Sequence, residues 1–267
     1  MKIVCLIGPP PYLNHFVNEI SAKFNVELIV REATPIGKIG AKILKKGVVN
    51  SARILQHKIL SRNANKKDYN TILGKNWKTI DHINRVKEIH DINDQWVSDE
   101  LNRIKPDIVL VHGTSLIKPH ILENVPLTLN LHWGISPYYR GSYCTEWALI
   151  NSDPLNIGYT IHKVSPKIDG GEILTQDRVT IEENDTANSI NMKLTKLGTV
   201  KMLEVLSRLK EGEHPKFETQ STDVGFLYLT RHWNWNYQSL VKQIESSGNI
   251  KKMIVKPSRP ALAIKKW

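Results

Sequence analysis

Cysteine is scarce in this chain, and long apolar runs are absent. The two cysteines are Cys5 and Cys144 among 267 residues, which argues against a disulfide scaffold or a structural zinc site and favours a reducing compartment. No apolar run approaches the roughly 18 residues that a membrane-spanning helix needs. The apolar opening at residues 2–8 is also too short for a signal peptide. We therefore expect a cytoplasmic protein with no membrane partner and predict no metal site.

A glycine-rich dinucleotide fingerprint is also missing. The apolar run at residues 2–8 ends in Gly8 and passes directly into Pro9, Pro10 and Pro11. Nicotinamide and flavin sites use several closely spaced glycines at this point, because the backbone must approach the pyrophosphate. The pattern therefore argues against such a site, although it is compatible with a β-α-β unit.

The composition is that of a globular protein, and its pattern favours an α/β fold. Of the residues, 40% are hydrophobic and 24% are charged, as is usual for a packed domain. Short apolar runs at 2–8, 26–30, 106–113 and 127–132 alternate with segments of helical periodicity. We predict a Rossmann-like, mostly parallel sheet flanked by helices. The expected organisation is a main domain over residues 1–211 and a small C-terminal extension, rich in aromatic residues, over 212–267.

Some local predictions go further. Asn14 is expected to cap the first helix, and Ser142 a helix over residues 142–150. Residues 63–70 are polar and are expected to form a loop, whereas Val179-Thr-Ile181 is expected to form a strand of its own. Asp185 or Thr186 should cap a long helix whose apolar stripe reaches Leu209.

The net charge of +11 comes from 37 lysines and arginines against 26 acidic residues. Many of the basic residues cluster in the segment 35–67, with a second group over 251–266. Such a balance suits a nucleic acid, an anionic membrane surface or a phosphorylated small substrate. Solvated helix faces explain it equally well, so the charge alone leaves these alternatives open.

The chemically suggestive stretch begins at Asn130. Asn130 and His132 alternate with Leu131 at the end of a predicted strand, so both should point to the same face. A third polar group, Asp169, lies in the turn Asp169-Gly-Gly171. An amide can stabilise an oxyanion, an imidazole can transfer a proton, and a carboxylate can orient the imidazole, which together suit acyl transfer. Each residue alone is unremarkable, since Asp-Gly-Gly is also an ordinary turn sequence.

The combination is more specific. Asn130-x-His132, then Ser136-Pro-x-Tyr139-Arg140-Gly141, then Asp169-Gly-Gly closely resembles the 10-formyltetrahydrofolate-dependent formyltransferases. The resemblance is strong over residues 100–180 and only architectural elsewhere. It implies that Asn130 donates a hydrogen bond to the formyl oxygen, that His132 acts as the acid or base, and that Asp169 positions His132 or a water. Two departures from the family pattern are Gly134, where a serine is usual, and Ser136, where a leucine is usual.

The same resemblance implies where the formyl donor, 10-formyltetrahydrofolate, would bind. The pteridine is expected against backbone groups of two loops and against the wall of the site. The residues concerned are Ser115, Leu116, Ile117, Tyr139, Lys167 and Ile168. Tyr12, Trp133 and Arg140 are candidates for contact with the acceptor.

The acceptor is inferred from what surrounds the motif. In its length and its short C-terminal piece the chain is similar to enzymes that formylate nucleotide-linked amino deoxysugars, UDP- or dTDP-linked, for surface glycans. In such an enzyme the lysines and arginines of the basic insert would be ligands for the diphosphate. The alternatives are a methionyl-tRNA formyltransferase-like enzyme, which would use the positive charge against tRNA phosphates, and a non-catalytic nucleotide-binding module. We expect an amino-sugar substrate, no nucleic-acid partner, and a C-terminal segment that is a candidate for burial in a homodimer.

Overall fold

A seven-stranded sheet forms the centre of the molecule. The computed structural model describes residues 1–33, 47–221 and 223–267. The order across this sheet is β3-β2-β1-β4-β5-β7-β8, and a separate two-stranded sheet pairs β6 with β9. The strands are β1 (Ile3–Ile7), β2 (Val26–Glu32), β3 (Val86–Ile89), β4 (Ile108–His112), β5 (Thr128–His132), β6 (Tyr139–Gly141), β7 (Gly158–Lys163), β8 (Ile173–Arg178) and β9 (Phe226–Tyr228).

Helices connect and cover these strands. They are α1 (Leu13–Ser21), α2 (Val48–Leu60), α3 (Arg62–Leu73), α4 (Gln95–Ile104), α5 (Pro119–Leu122), α6 (Cys144–Ile150), α7 (Ala187–Lys210), α8 (Trp235–Ser246) and α9 (Asn249–Val255), with 3₁₀ turns at Ile83–Arg85, Pro154–Asn156 and Thr230–His232. Among the described helices, none is both long and apolar enough to cross a membrane.

The sheet is buried on both faces. Along β1, Ile3, Cys5 and Ile7 belong to one hydrophobic cluster, whereas Val4 and Leu6 belong to a cluster on the other face. A strand sends successive side chains to opposite faces, so a continuous apolar run is what a strand between two helical layers requires. The predicted α/β architecture, a mostly parallel sheet with helices on both faces, is confirmed.

The direction and pairing register of the strands determine which polar side chains lie next to one another. Strands β3, β2, β1, β4 and β5 are parallel to their neighbours, whereas β7 and β8 are antiparallel additions. The carboxyl ends of β4 and β5 therefore share one edge, with His112 and His132 as their last residues. The antiparallel pairing of β5 with β7 aligns Asn130 with His162. The site is built at this edge.

Several local predictions were wrong. Asn14 lies inside α1, and its side-chain amide donates to the Trp77 carbonyl oxygen at 3.0 Å. The amide therefore holds a buried turn and does not cap the helix. Residues 63–70 belong to α3, which packs against α7. Residues 179–181 form no strand, since β8 ends at Arg178. Helix α6 begins at Cys144, and the Ser142 hydroxyl lies 3.0 Å from that of Thr230.

Other predictions agree with the structure. The long helix α7 is capped by Thr186, whose side chain accepts from the Ser189 backbone N–H. The apolar spacing over residues 35–62 of the basic insert predicts a helix, and α2 is present there from Val48 to Leu60. Residues 35–46 of that prediction lie outside the described residues.

The C-terminal segment packs directly on the motif region. Strand β9 pairs in parallel with β6, and α8 packs against α6. Stacked rings hold this contact, with Tyr143 and Trp233 centroids 4.6 Å apart and Trp147 and Tyr228 centroids 4.7 Å apart. Stacked aromatic pairs add to the stabilisation that comes from area burial. The segment after residue 212 therefore shapes the surroundings of the sheet edge.

Candidate active site

A cavity of about 750 Å³ opens at the carboxyl ends of β4 and β5. Its wall also includes residues from the turn around Asp169, from α6 and α7, and from the segment after β9. Open α/β sheets bind ligands at this end of their strands, and the volume lies in the usual range for small-molecule sites. Asn130, His132 and Asp169 all line it.

His132 and Asp169 form the central pair. His132 Nε2 lies 2.9 Å from the carbonyl oxygen of Tyr139. A carbonyl only accepts, so Nε2 carries a hydrogen, and Nδ1 is the nitrogen that can gain or lose a proton. Nδ1 lies 3.3 Å from Oδ2 of Asp169. The imidazole is therefore oriented by the backbone on one side and by the carboxylate on the other.

Asn130 points to the same carboxylate. Its Nδ2 lies 3.3 Å from Oδ1 of Asp169 and 3.1 Å from Nε2 of His162. His162 in turn donates from Nδ1 to the carbonyl oxygen of Lys163 at 2.7 Å, which leaves Nε2 as the acceptor in the neutral ring. The Asn130 amide nitrogen therefore has two acceptors within hydrogen-bond distance, a carboxylate oxygen and a ring nitrogen.

The turn that carries Asp169 is held from several sides. The Gly141 N–H donates to Asp169 Oδ2 at 2.8 Å. The Asp169 carbonyl oxygen accepts from Gln220 Nε2 at 3.0 Å and from the Ser136 hydroxyl at 3.4 Å. Asp169 itself has φ 45°, a left-handed conformation that aspartate tolerates better than most residues. Backbone strain of this kind persists where the surroundings determine the conformation.

Burial and hydrogen bonding set the ionisation of the pair. Burial lowers the pKa of His132, although the facing carboxylate opposes this. Burial alone would raise the pKa of Asp169, but His132, His162 and the Gly141 N–H lower it to about 2. At neutral pH the pair therefore consists of a neutral imidazole and a carboxylate, and it can accept one proton.

Gly134 permits this arrangement. A Cβ atom at this position would lie 2.4 Å from His132 Nε2 and 2.4 Å from the Tyr139 carbonyl oxygen. A side chain would therefore intrude on the hydrogen bond that fixes the imidazole. One of the two departures from the family pattern thus has a steric reason in this chain.

The loops expected to bind the formyl donor lie on the cavity. Ser115, Leu116 and Ile117 line it on one side, and Lys167 and Ile168 line it on another. Glu32 fixes the first loop, because its carboxylate accepts from the Ser115 N–H at 2.7 Å and from the Ser115 hydroxyl at 2.5 Å. The Ser115 side chain is thereby engaged within the protein.

Tyr139 and Arg140 are placed differently from the expectation. Neither lines the cavity. The Tyr139 hydroxyl donates to Asp153 Oδ2 at 2.8 Å beneath the site, and Arg140 Nε donates to the Pro137 carbonyl oxygen at 3.2 Å. The strand β6 turns both side chains into the protein, so Tyr139 contributes its carbonyl group to His132 instead of a wall.

Tyr12 and Trp133 do line the cavity. Their rings are stacked with centroids 5.6 Å apart, and Trp133 also contacts His112 edge-on at 5.4 Å. Burial lowers the pKa of His112 to about 4, so this ring is neutral at physiological pH. The side of the cavity formed by Tyr12, Trp133 and His112 is therefore aromatic and uncharged at physiological pH.

Sequence reasoning missed several cavity residues. They are His112, His162, Glu146, Asn191, Leu229 and Thr230. His162 lies on β7, and only the β5–β7 register brings it to Asn130. The β6–β9 pairing places Leu229 and Thr230 at the cavity, and no short sequence pattern predicts that pairing.

Comparison with known proteins assigns the family. The family model described as formyl transferase matches residues 44–206, more than half of the chain. The chain belongs to the formyl transferase family. The matched residues include Asn130, His132 and Asp169, the three residues on which the sequence resemblance depends.

Two relatives match this chain over only part of their own length. The bifunctional polymyxin resistance protein ArnA of Wigglesworthia glossinidia brevipalpis is 33% identical over 172 residues, which are 63% of this chain and 25% of that protein. The methionyl-tRNA formyltransferase of Caldanaerobacter subterraneus subsp. tengcongensis is 32% identical over 116 residues, 43% of this chain and 37% of that protein. The chain thus spans about a quarter to a little over a third of these relatives.

Solved structures share the fold. The N-formyltransferase of Helicobacter canadensis, in complex with folinic acid and dTDP-3-aminofucose, has a TM-score of 0.58 at 16% identity, covering 88% of this chain and 74% of its own. The formyltransferase PseJ of Anoxybacillus kamchatkensis, in complex with UDP-4,6-dideoxy-4-formamido-L-AltNAc and tetrahydrofolate, has a TM-score of 0.54 at 18% identity, covering 95% and 97%. At these identities the likeness concerns the formyl transferase fold.

Proposed function

We propose that this protein transfers the formyl group of 10-formyltetrahydrofolate to the amine of a nucleotide-linked amino deoxysugar. The observation that carries the proposal is the Asn130–His132–Asp169 arrangement, which lies on a cavity large enough for small-molecule ligands. Family membership supports the formyl group as the transferred unit. The sugar acceptor is supported by the amino-sugar ligands named for fold relatives that are close to this chain in extent.

Three residues of the chain perform the proposed chemistry. An N–H of Asn130 donates to the formyl oxygen, where negative charge develops during attack. Deprotonated Nδ1 of His132, beside the Asp169 carboxylate, receives the proton that the attacking amine gives up. His132 then returns this proton to the tetrahydrofolate nitrogen as the bond between that nitrogen and the formyl carbon breaks. The Tyr139 carbonyl keeps the imidazole in place throughout. The formyl donor supplies the one-carbon unit, and the loops at Ser115–Ile117 and at residues 167–168 hold it.

The direct test measures tetrahydrofolate release from 10-formyltetrahydrofolate with a panel of UDP- and dTDP-linked amino sugars. His132→Ala and Asn130→Ala should each lower kcat by about 100-fold or more, as is usual for removal of a proton-transfer group or an oxyanion donor. Near-full turnover by either variant would overturn the assigned chemistry. Turnover with the wild-type protein should fall at acid pH, because both the amine and His132 become protonated.

Formylation of methionyl-tRNA is the competing function, favoured by the relative of that name and by the net charge of +11. The two are separated by adding initiator methionyl-tRNA to the panel and by a gel shift repeated across salt concentrations. Phosphate-backbone binding should weaken steeply with salt. Salt-sensitive tRNA binding together with tRNA formylation, and no amino-sugar turnover, would replace the sugar proposal.

A further inference from the structure

Two polar residues on the cavity have no part in the proposed formyl transfer. Glu146 lies in the first turn of α6, and Asn191 lies near the start of α7. Both line the same cavity as His132. Asn191 Nδ2 donates to Glu146 Oε1 at 3.2 Å, so the two helices present these side chains together.

Within the described part of the chain, the pair leaves one buried acceptor without a donor. The Asn191 amide uses an N–H toward Glu146, and its buried Oδ1 has no hydrogen-bond partner among the residues that the structure describes. Carboxylate oxygens are also acceptors. Buried polar groups are nearly always paired in folded proteins, with protein, water or ligand. A ligand that brings N–H or O–H groups to this part of the cavity would complete the arrangement.

The charges around Glu146 point the same way. Four titratable groups among the described residues interact with it. They are Tyr12 before α1, Tyr143 and Cys144 at the start of α6, and Glu245 on α8. None of these groups is a cation. Burial raises the pKa of Glu146 to about 7, and Glu245 adds to this effect. A positively charged or donor-rich ligand would favour the ionised carboxylate.

We propose that Glu146 and Asn191 bind the amino sugar, and that they accept hydrogen bonds from its ammonium or ring hydroxyl groups before formyl transfer. This inference rests on the proposed amino-sugar acceptor. Asp169 and His132 then take the proton during transfer, while the Glu146–Asn191 pair selects which sugar is held.

Steady-state kinetics with the amino sugar that gives turnover in the panel tests the inference. Glu146→Gln keeps the shape of the side chain, and Asn191→Ala is the second variant. Each should raise the KM for the amino sugar about tenfold or more, as expected for loss of a charge-assisted hydrogen bond. The KM for 10-formyltetrahydrofolate and kcat should change by less than about threefold, which is below the effect of one such hydrogen bond.

The pH profile separates recognition from a structural role. In the wild-type protein the amino-sugar KM should fall as pH rises through about 7, because the ionised Glu146 carboxylate is the stronger acceptor. This pH-dependent fall in the amino-sugar KM should be absent in Glu146→Gln. The matched control is Glu245→Gln, a buried carboxyl outside the cavity whose Oε1 accepts from the Ala187 N–H. Glu245→Gln should leave the KM at high pH unchanged. It should move the pH-dependent fall in KM to lower pH, because it removes a negative charge that raises the pKa of Glu146.

The sugar group involved is identified by inhibition. A nucleotide sugar with a hydroxyl in place of the amine should inhibit the wild type better than Glu146→Gln if ring hydroxyls are bound, and equally poorly if the ammonium is bound. Unchanged amino-sugar KM and an unchanged pH-dependent fall in that KM in Glu146→Gln would overturn this inference alone. Wild-type protein without turnover on any amino sugar would remove the proposed function, and this inference with it.

Discussion

Two carboxyl groups line one cavity and behave in opposite ways. Asp169 accepts from the Gly141 N–H and the Asn130 amide and faces the His132 and His162 rings. These neighbours lower its pKa to about 2 in spite of burial. Glu146 is buried with weaker donors and with Glu245 as a like-charged neighbour, and its pKa rises to about 7. Burial disfavours charge in both cases. The difference shows that the number and type of neighbouring donors decide the ionisation of a carboxyl group in this cavity.

The two carboxyl groups are also suited to different functions. A carboxylate that is held ionised beside a neutral imidazole is suited to proton transfer. A carboxyl group near its titration point at physiological pH, without a cation beside it, is suited to a ligand that supplies the missing donors.

Removing the charge of Asp169 should have the largest effect. Asp169→Asn keeps the shape but leaves His132 without its proton-sharing partner, so kcat should fall by about 10²- to 10⁴-fold. The measurement is tetrahydrofolate release with a turned-over amino sugar. Asp177→Asn, which alters a carboxylate paired with Lys266 away from the cavity, is the matched control. A kcat within threefold of wild type for Asp169→Asn would contradict its role.

Removing the charge of Glu146 should stabilise the protein, in contrast to Asp169. The folded pKa of Glu146 is raised from 4.5 to about 7, so ionisation at higher pH costs stability that is intact below pH 4.5. At pH 8.5 Glu146→Gln should unfold with a free energy up to about 3 kcal/mol greater than wild type, and at pH 4 with little difference. Denaturant titrations at both pH values measure this. Equal free energies of unfolding for wild type and Glu146→Gln at pH 8.5 would mean that the pKa of Glu146 is not raised in the folded protein.

The opposite sign applies to Asp169. Its folded pKa is depressed from 3.8 to about 2, so its stabilising contribution is present above pH 3.8 and is lost as pH falls through about 2. Asp169→Asn should therefore lower the free energy of unfolding at neutral pH. Stabilisation by both substitutions would remove the distinction between the two carboxyl groups.

A side chain at Gly134 should disturb the pair that contains Asp169 and leave Glu146 untouched. Since a Cβ would lie 2.4 Å from His132 Nε2, Gly134→Ala should displace the imidazole and lower kcat by about 10- to 100-fold. Gly74→Ala is the control, because no atom lies within 4 Å of a Cβ built there. It should change stability while kcat stays the same. A wild-type kcat in Gly134→Ala would show that His132 tolerates the shift.

Loosening the Asp169 turn should have the smallest effect. Gln220 Nε2 donates to the carbonyl oxygens of Asp169 and Gly171, at 3.0 and 2.5 Å. Gln220→Ala removes both bonds, and kcat should fall about three- to tenfold, the equivalent of roughly one net hydrogen bond. Kinetics at saturating substrates give the value. No change in kcat would mean that the Ser136 and Gly141 contacts suffice to hold the turn.

The sheet and part of the site could be predicted from the sequence. The apolar runs of β1, β4 and β5 predict a buried parallel sheet, since only a strand covered on both faces tolerates such continuity. The alternation of Asn130 and His132 predicts a shared face. Residues 63–70 were misjudged as a loop, because α3 is stabilised by packing against α7 rather than by an apolar pattern of its own.

The sequence by itself therefore determined the sheet, the family motif and the three residues of the proposed transfer, since each depends on local periodicity or on a short pattern. Tertiary structure alone decided what surrounds them. The β5–β7 register brought His162 to Asn130, the β6–β9 pairing brought Thr230 to the wall, and two separate helices brought Glu146 to Asn191. Such contacts join residues far apart in the chain, and their effect on a pKa depends on burial and neighbours that no local pattern encodes.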